Sequence, residues 1–448
     1  CTTGCRTIKN QLSDSDFYVY YTKDENGEYK NPRIAIRINR YDEIIEVKGI
    51  AADQNLEENM IDIADKKLDE FDDKEKYKKK IDAMKQLTKI DQKTKKGEEL
   101  TRDDLIFIYE LNDKIEGFVY GKDPRIEEIQ KTRDIKKDLS YIYGIDENSI
   151  ATSLSDFDNE DNNIILYYGD FEYTPGMHLE KLREITGYGN FAKLTFARGL
   201  SSLQKIGRGA NFENLETAAG LSNLQIIGGH TNFVRLTSIE GLNNLQIIGG
   251  CVNFAGLETA EGLDKLQIIE GNAYFNSLKS AKGLDNLRII NGSAYFNSLE
   301  TAKGLDNLQI INGNAYFYSL ETAEGLNSLQ IINGAANFEK LETAKGLNNL
   351  QKVNGDIDFE ELKTAEGLNN LQTIGGCANF HWLKTAKGLN SLQKIGGNAV
   401  FPDLETAEGL NNLQTIGGGA NFHFLKTAKC LNNLQKIGGS AYFDNLET

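Results

Sequence analysis

Proline is nearly absent from this chain, with four in 448 residues against 43 glycines. Flexible linkers draw on both residues, so glycine without proline points to regular tight turns. Histidine is equally scarce, at four, and the first is His178. Ser–His and Cys–His catalytic pairs therefore cannot be assembled within residues 1–177. The five cysteines lack the spacing of a framework: Cys1 and Cys5 sit alone at the start, and Cys251, Cys377 and Cys430 lie far apart. That argues against a disulfide scaffold, and a zinc site would lack its second pair. No apolar run approaches the roughly 18 residues of a membrane-crossing helix.

Positive charge is also in deficit. Fifty Lys and Arg against 66 Asp and Glu leave a formal net charge of -16. Phosphate backbones and anionic membrane surfaces need the opposite balance, so nucleic acid and membrane are excluded as expected partners. The chain opens at Cys1, without methionine or a signal peptide. It is expected to be a fragment, or a processed chain with a lipidated first cysteine. Cytoplasm and cell surface both remain open as its location.

What the chain does contain is a repeat. A Gly-Leu pair recurs every 21 residues, at Gly199, Gly220, Gly241, Gly262, Gly283, Gly304, Gly325, Gly346, Gly367, Gly388 and Gly409. Cys430-Leu431 occupies the next start, and a weaker copy begins at His178. That makes 13 copies, still on pattern at Thr448, so the array is expected to continue. In the copy from Gly304 the recurrent apolar residues are Leu305, Leu308, Ile311, Ala315, Phe317, Leu320 and Ala323. Ala315 and Phe317 alternate at period two, which predicts a strand with both side chains on one face. The others come every third residue, as in short extended segments joined by bends. One such unit cannot bury its own leucines, but stacked units can. Phenylalanine fills the Phe317 position from Phe191 to Phe443, which predicts a continuous aromatic spine.

This motif, carried by Leu305, Leu308, Ile311, Gly313, Phe317 and Leu320 and their equivalents, resembles leucine-rich repeats. It is most similar to the L-domain type of receptor ectodomains and its bacterial relatives, over about 270 residues. The resemblance implies a right-handed solenoid with a parallel sheet on one side, and protein or peptide binding. Two features depart from the common pattern: Ala and Phe replace Leu-x-Leu, and Gly takes the usual Asn ladder position. A horseshoe and a straighter β-solenoid therefore both remain open.

Residues 1–155 are expected to form an α+β domain, with 156–177 as connection and first capping strand and 178–448 as the solenoid. Strands are predicted over 17–24, 32–40, 43–50 and 164–173. Helices are predicted near 56–71, 73–94, 101–115 and 123–143, with Thr101 and Asp123-Pro124 as helix starts. This part resembles the N-terminal segments of uncharacterised bacterial repeat proteins, which implies no activity.

Binding residues are expected on the outward side of the Ala-x-Phe strand. One column there reads Asn211, Asn232, Asn253, Tyr274, Tyr295, Tyr316, Asn337, Asp358, Asn379, Val400, Asn421 and Tyr442. Tyr274, Tyr295 and Tyr316, with Tyr318 beside them, form an aromatic stripe suited to protein contact. The alternative is a stacked ladder with no partner. His381, Trp382, His423 and Phe424 form a second aromatic patch, two units apart. Its histidines should lie roughly 10 Å apart, too far for one metal ion. The Gln column from Gln204 to Gln435 and the Thr column from Thr217 read as hydrogen-bonded ladders. The Gly-Gly pairs read as turns, and Glu321, Lys363 and Lys384 as a solvated flank. Asp156, Asp158 and Asp161 lack the Gly and closing Glu of a calcium loop. No cofactor or metal is expected, and a protein- or peptide-binding scaffold is the expected function. A structural or adhesive surface protein, and an N-terminal enzyme with a repeat targeting arm, are the alternatives. The enzyme would need a buried carboxylate pair.

Overall fold

The computed structural model describes residues 15–23, 27–39, 44–49, 75–115, 122–158 and 162–447. The chain divides into two compact units, Cys1–Glu147 and Asn148–Thr448.

The first unit holds a meander of β1 (Ser15–Lys23), β2 (Tyr29–Asn39) and β3 (Ile44–Gly49), in the order β1-β2-β3. Tyr18 faces Ile36, and Ile36 faces Val47 on the other side. The register slips where Tyr21 meets Pro32, a residue without a ladder N–H to give. Helices α1 (Glu75–Lys95), α2 (Arg102–Ile108), α3 (Pro124–Lys131) and α4 (Ile135–Tyr143) follow. The helix expected near 56–71 lies outside the described residues. The helices bury Ile81, Met84, Leu87, Ile90, Leu105, Ile108, Ile126, Ile129, Leu139 and Ile142.

Capping decides where these helices begin and end. Thr101 and Asp104 form a reciprocal capping box at the start of α2. That helix stops at Ile108 rather than near 115, and Glu110 turns to a φ of 51°. The single helix expected over 123–143 is broken in two. Asp134 takes the Lys137 N–H and caps a new helix, and Arg133 binds the Asp138 carboxylate at 2.6 and 2.8 Å.

The second unit is a parallel β-solenoid. Each coil contributes one two-residue strand to each of two sheets, of 15 and 14 strands. In the coil from Gly304 these are Ile310–Ile311 and Ala315–Tyr316, joined by a bend at Asn312–Gly313. From Glu184 and Gly189 onward each strand pairs in parallel with its equivalent 21 residues on, as Ile310 with Ile331 and Ala315 with Ala336, while the first strands pair at shorter spacing, as Leu166 with Glu184. A third line of contact comes from single bridges such as Thr301 to Thr322. The resemblance implied one sheet; there are two, because the Ile-Ile pair also runs as a strand, with Ile311 inward and Ile310 outward. The segment 164–173, expected as one strand, is two: Leu166–Tyr167 in the first sheet and Phe171–Glu172 in the second. The first sheet starts earlier still, at Ile150–Ala151.

Tight turns complete the coil. Leu305 N–H reaches Ala302 O at 2.9 Å, Leu308 reaches Leu305 at 2.9 Å, and Leu320 reaches Phe317 at 3.2 Å. This explains the three-residue leucine spacing: Leu305, Leu308 and Leu320 each close a turn and point inward, where they are buried. The aromatic spine runs through the centre. Phe296 and Phe317 lie 5.3 Å apart at 10°, and Phe191 and Phe212 lie 4.7 Å apart at 1°. Phe171 extends it one coil earlier than the sequence suggested, and edge-on contacts with Phe157 and Tyr167 end the column.

Candidate functional site

The coil sorts its outward residues into columns, and in most columns the side chain is spent on the fold. The Gln and Thr columns are ladders through their backbones. Gln309 N–H bonds Arg288 O at 2.8 Å, and Gln330 N–H bonds Gln309 O at 2.9 Å. Thr hydroxyls turn locally, as Thr364 Oγ1 accepts the Glu366 N–H at 3.3 Å.

Three side-chain ladders went unread in the sequence. Asn307 donates its amide to Asp285 O of the preceding coil at 2.6 Å, and Asn286, Asn349 and Asn370 repeat the bond. The signal was the recurrence of Asn before Leu-Gln. A second ladder precedes the Ala-x-Phe strand, where each side chain accepts the N–H of the next coil. Cys251 takes the Asn272 N–H at 3.2 Å, Asn272 takes that of Ser293 at 2.8 Å, and Ser293 takes that of Asn314 at 3.0 Å. Cys377 does the same for Asn398 at 3.3 Å. The two cysteines thus stand in a column of acceptors, and both are free thiols. A third ladder joins Asn312 to Asn291, Asn333 to Asn312 and Asn354 to Asn333 through side-chain amides, each at 2.6 Å. Beside it runs a stripe of partly exposed isoleucines, Ile226, Ile247, Ile268, Ile289, Ile310 and Ile331, replaced from Lys352 onward by Lys and Thr. The Ile-Ile pairs carried that signal.

The expected stripe is in place as a column. Tyr274 and Tyr295 stack at 4.7 Å and 14°, Tyr295 and Tyr316 at 4.9 Å and 22°, and Tyr316 and Tyr318 at 5.7 Å. The rings therefore cover one another's faces and present their edges and hydroxyls. Asn272 and Asn314 donate to the Tyr274 and Tyr316 hydroxyls at 3.1 and 2.9 Å. Burial, and then the neighbouring phenols, push Tyr295 above its ordinary value. Where asparagine replaces tyrosine, its carboxamide accepts an N–H two residues on, as Asn253 does from Ala255 at 3.1 Å. Tyrosine and asparagine are thus two ways of finishing the same edge.

The second patch is more exposed. Trp382 is 50% exposed and Phe424 49%, against 38% for Tyr318. They occupy the same corner of coils two apart, each on the turn after the spine phenylalanine. Leu383 N–H closes the first turn to Phe380 O at 3.3 Å, and Leu425 closes the second to Phe422 at 3.1 Å. His423 packs edge-on against Phe424 at 4.6 Å, and its Nδ1 lies 2.6 Å from Asp444. His381 stands beside Trp382, exposed. The two histidines share a column but sit in different coils.

In the first unit the buried Asp123 and Asp138 each meet an arginine, and Glu110 meets Lys122 at 2.8 Å. Asp123 holds Arg125 at 2.9 and 3.1 Å, and Arg125 reaches on to Thr88 at 3.0 Å, fastening α3 to α1. Asp138 receives Arg133 and the Tyr109 hydroxyl, the latter at 2.7 Å. An open cavity of about 650 Å³ lies between α1, α2 and the segment after α2, lined by Asp82, Asp103, Asp113, Lys79 and Lys114. Its three carboxylates are exposed to solvent. Asp156 accepts the N–H groups of Thr152 and Ser153, as a cap. Among the described residues no group of three His, Cys, Asp or Glu could hold a metal ion.

A scan against protein-family models finds no match to this chain, and neither does a search of curated proteins.

Proposed function

We propose that the solenoid is a protein- or peptide-binding scaffold, with Trp382 and Phe424 as its anchors and the Tyr274–Tyr318 stripe as a flanking surface. One observation carries this reading. These two large aromatics stand half exposed at turn corners, where the equivalent coils hold Ser277, Ser298 and Ser319. Neither ring belongs to the spine or to the tyrosine stack, so the fold does not require them. Exposed aromatics on a rigid frame give contact area at low entropic cost, the property of binding hot spots. A leucine-rich-repeat-like use of the array agrees with this.

A structural or adhesive role is the second reading. It is favoured by the tyrosine column, whose ring faces are used on one another. The test is a pair of variants of the full chain, Trp382→Ser with Phe424→Ser, and Tyr274→Ser with Tyr295→Ser and Tyr316→Ser. Each is compared with the parent for the proteins it retains from a lysate. Selective loss of the same proteins from the first variant, with unchanged circular dichroism, supports the anchor role. An identical retained set for parent and both variants would sink the binding reading.

A further inference from the structure

From Glu361 onward, after Lys340 in the coil before, the corner column that carries Trp382 and Phe424 alternates its rings with carboxylates. In order along the array it reads Glu361, Trp382, Asp403, Phe424. Successive turns are joined by their backbones: Glu361 N–H bonds Glu339 O at 3.0 Å, Trp382 bonds Glu360 O at 3.1 Å, and Phe424 bonds Pro402 O at 3.0 Å. Aromatic ring and carboxylate therefore alternate at about 4.8 Å per coil. Glu361 and Asp403 are half-buried, and no salt bridge to either occurs among the described residues. Two residues further along each coil the picture differs, because Glu342 pairs with Lys363 and Glu405 pairs with Lys426, the latter at 2.9 Å. On that neighbouring column the Lys426 hydrogen bond and charge, and then the charge of Lys384, hold the Glu405 carboxyl below its ordinary value.

From this we infer that the Glu361–Trp382–Asp403–Phe424 corner is a docking site for a cationic, Lys- or Arg-bearing peptide segment of a partner protein. The inference rests on the binding-scaffold reading and gives its partner a chemistry. An ammonium or guanidinium group over an indole or phenyl face is attracted by the ring quadrupole. Here each ring has a carboxylate one coil away, so one cation meets both. The two rings are two coils apart, roughly 10 Å. A polyproline-II-like peptide repeats every three residues at about 3.1 Å each, so cationic side chains three residues apart share a face and span about 9 Å. The charge complementarity favours this occupant over an acidic segment, which would meet Glu360, Glu361 and Asp403 head on.

The chain has one tryptophan, so its fluorescence reports on this corner alone. The experiment titrates the full chain with a blocked Lys-Gly-Gly-Lys peptide, its Arg counterpart, and Gln and Glu peptides of the same length. The expected result is a saturable change with the Lys and Arg peptides that weakens as salt rises. Glu361→Gln with Asp403→Asn should weaken it about tenfold or more, and Phe424→Ala should weaken it several-fold while leaving the reporter in place. No saturable change with either cationic peptide overturns the inference, as does unchanged affinity in the double carboxamide variant. Equal binding of the Gln or Glu peptide also overturns it, yet leaves the scaffold reading standing. Circular dichroism of each variant, superposing on the parent, confirms that the fold is retained.

Discussion

Replacing Gly304 by alanine should break the array at one coil, at a cost set by the turn and by the coil beneath it. Gly304 is the third residue of the turn Ala302–Leu305, at a φ of 105°, the conformation that a type II turn demands there. An L side chain in the left-handed region costs roughly 1–2 kcal/mol. The added Cβ would also lie 2.2 Å from Ala281 O and 2.5 Å from Ala281 C, in the preceding coil. Both are backbone atoms, so no rotamer relieves the clash, and separating the coils costs about 1–3 kcal/mol, as overpacking does. The sum is about 2–5 kcal/mol. Gly199 supplies the internal control. It occupies the same repeat position, but its turn is a 3-10 helix, Arg198–Leu200, and a Cβ there meets nothing within 4 Å. Cys430 replaces this glycine where the turn is likewise a 3-10 helix, Lys429–Leu431. Urea denaturation of Gly304→Ala and Gly199→Ala, followed by hydrogen exchange across residues 281–325, would measure both. Coupled repeats need not melt in one step, so exchange locates the break that a single midpoint would blur. Equal effects of the two substitutions, or a cost below about 1 kcal/mol at Gly304, would refute the steric reasoning.

Three further outcomes follow from other columns. Phe317→Ala should cost about 3–5 kcal/mol by opening the spine, and Tyr295→Ala only about 1–3 kcal/mol, from two exposed-edge stacks; urea midpoints of the two variants should rank in that order. Cys251→Ser should be neutral or slightly stabilising, because Ser293 accepts the equivalent N–H two coils on, while Cys251→Ala should cost about 1 kcal/mol. Asp104 sits below its ordinary value: burial pushes the carboxyl up, but Lys93 and the Thr101 N–H and hydroxyl pull it further down. A depressed folded-state value stabilises fully above the unfolded value of about 3.9 and is lost as pH falls through the folded one. Exchange protection of the 101–111 segment should therefore fall on acidification below about pH 4, and Asp104→Asn should flatten that dependence.

The repeat was legible because its physics is local and periodic. Phe317 and Ala315 alternate, leucines close turns three residues apart, and every coil repeats the arrangement, so the spine and the second sheet could be placed from spacing alone. The tyrosine and tryptophan columns were also legible, since equal repeat position means equal place on the coil. The strand of the first sheet was missed because Ile310 and Ile311 form only two residues of extended chain, too short for alternation to show. The helices of the first unit were legible as apolar stretches but not in their ends. The break at Arg133 and Asp134 depends on one cap and one ion pair with Asp138, neither of which alters the apolar period.

By itself, then, the sequence determined the period, the inward residues and which side chains share a column, because a coil of fixed length stacked in register leaves no freedom in these. Tertiary structure alone decided how each column is used. Whether Asn307 bonds water or Asp285 O, whether Cys251 is a reactive thiol or an acceptor, and whether a tyrosine offers its face or only its edge depend on what the adjacent coil places within 3–5 Å. Residues 21 apart meet there, and no local pattern records the directions in which their atoms point. That is also why Trp382 and Phe424 separate from Tyr274, Tyr295 and Tyr316 only in three dimensions: the three tyrosines cover one another's faces, whereas these two stand outside that stack with carboxylates in adjacent coils.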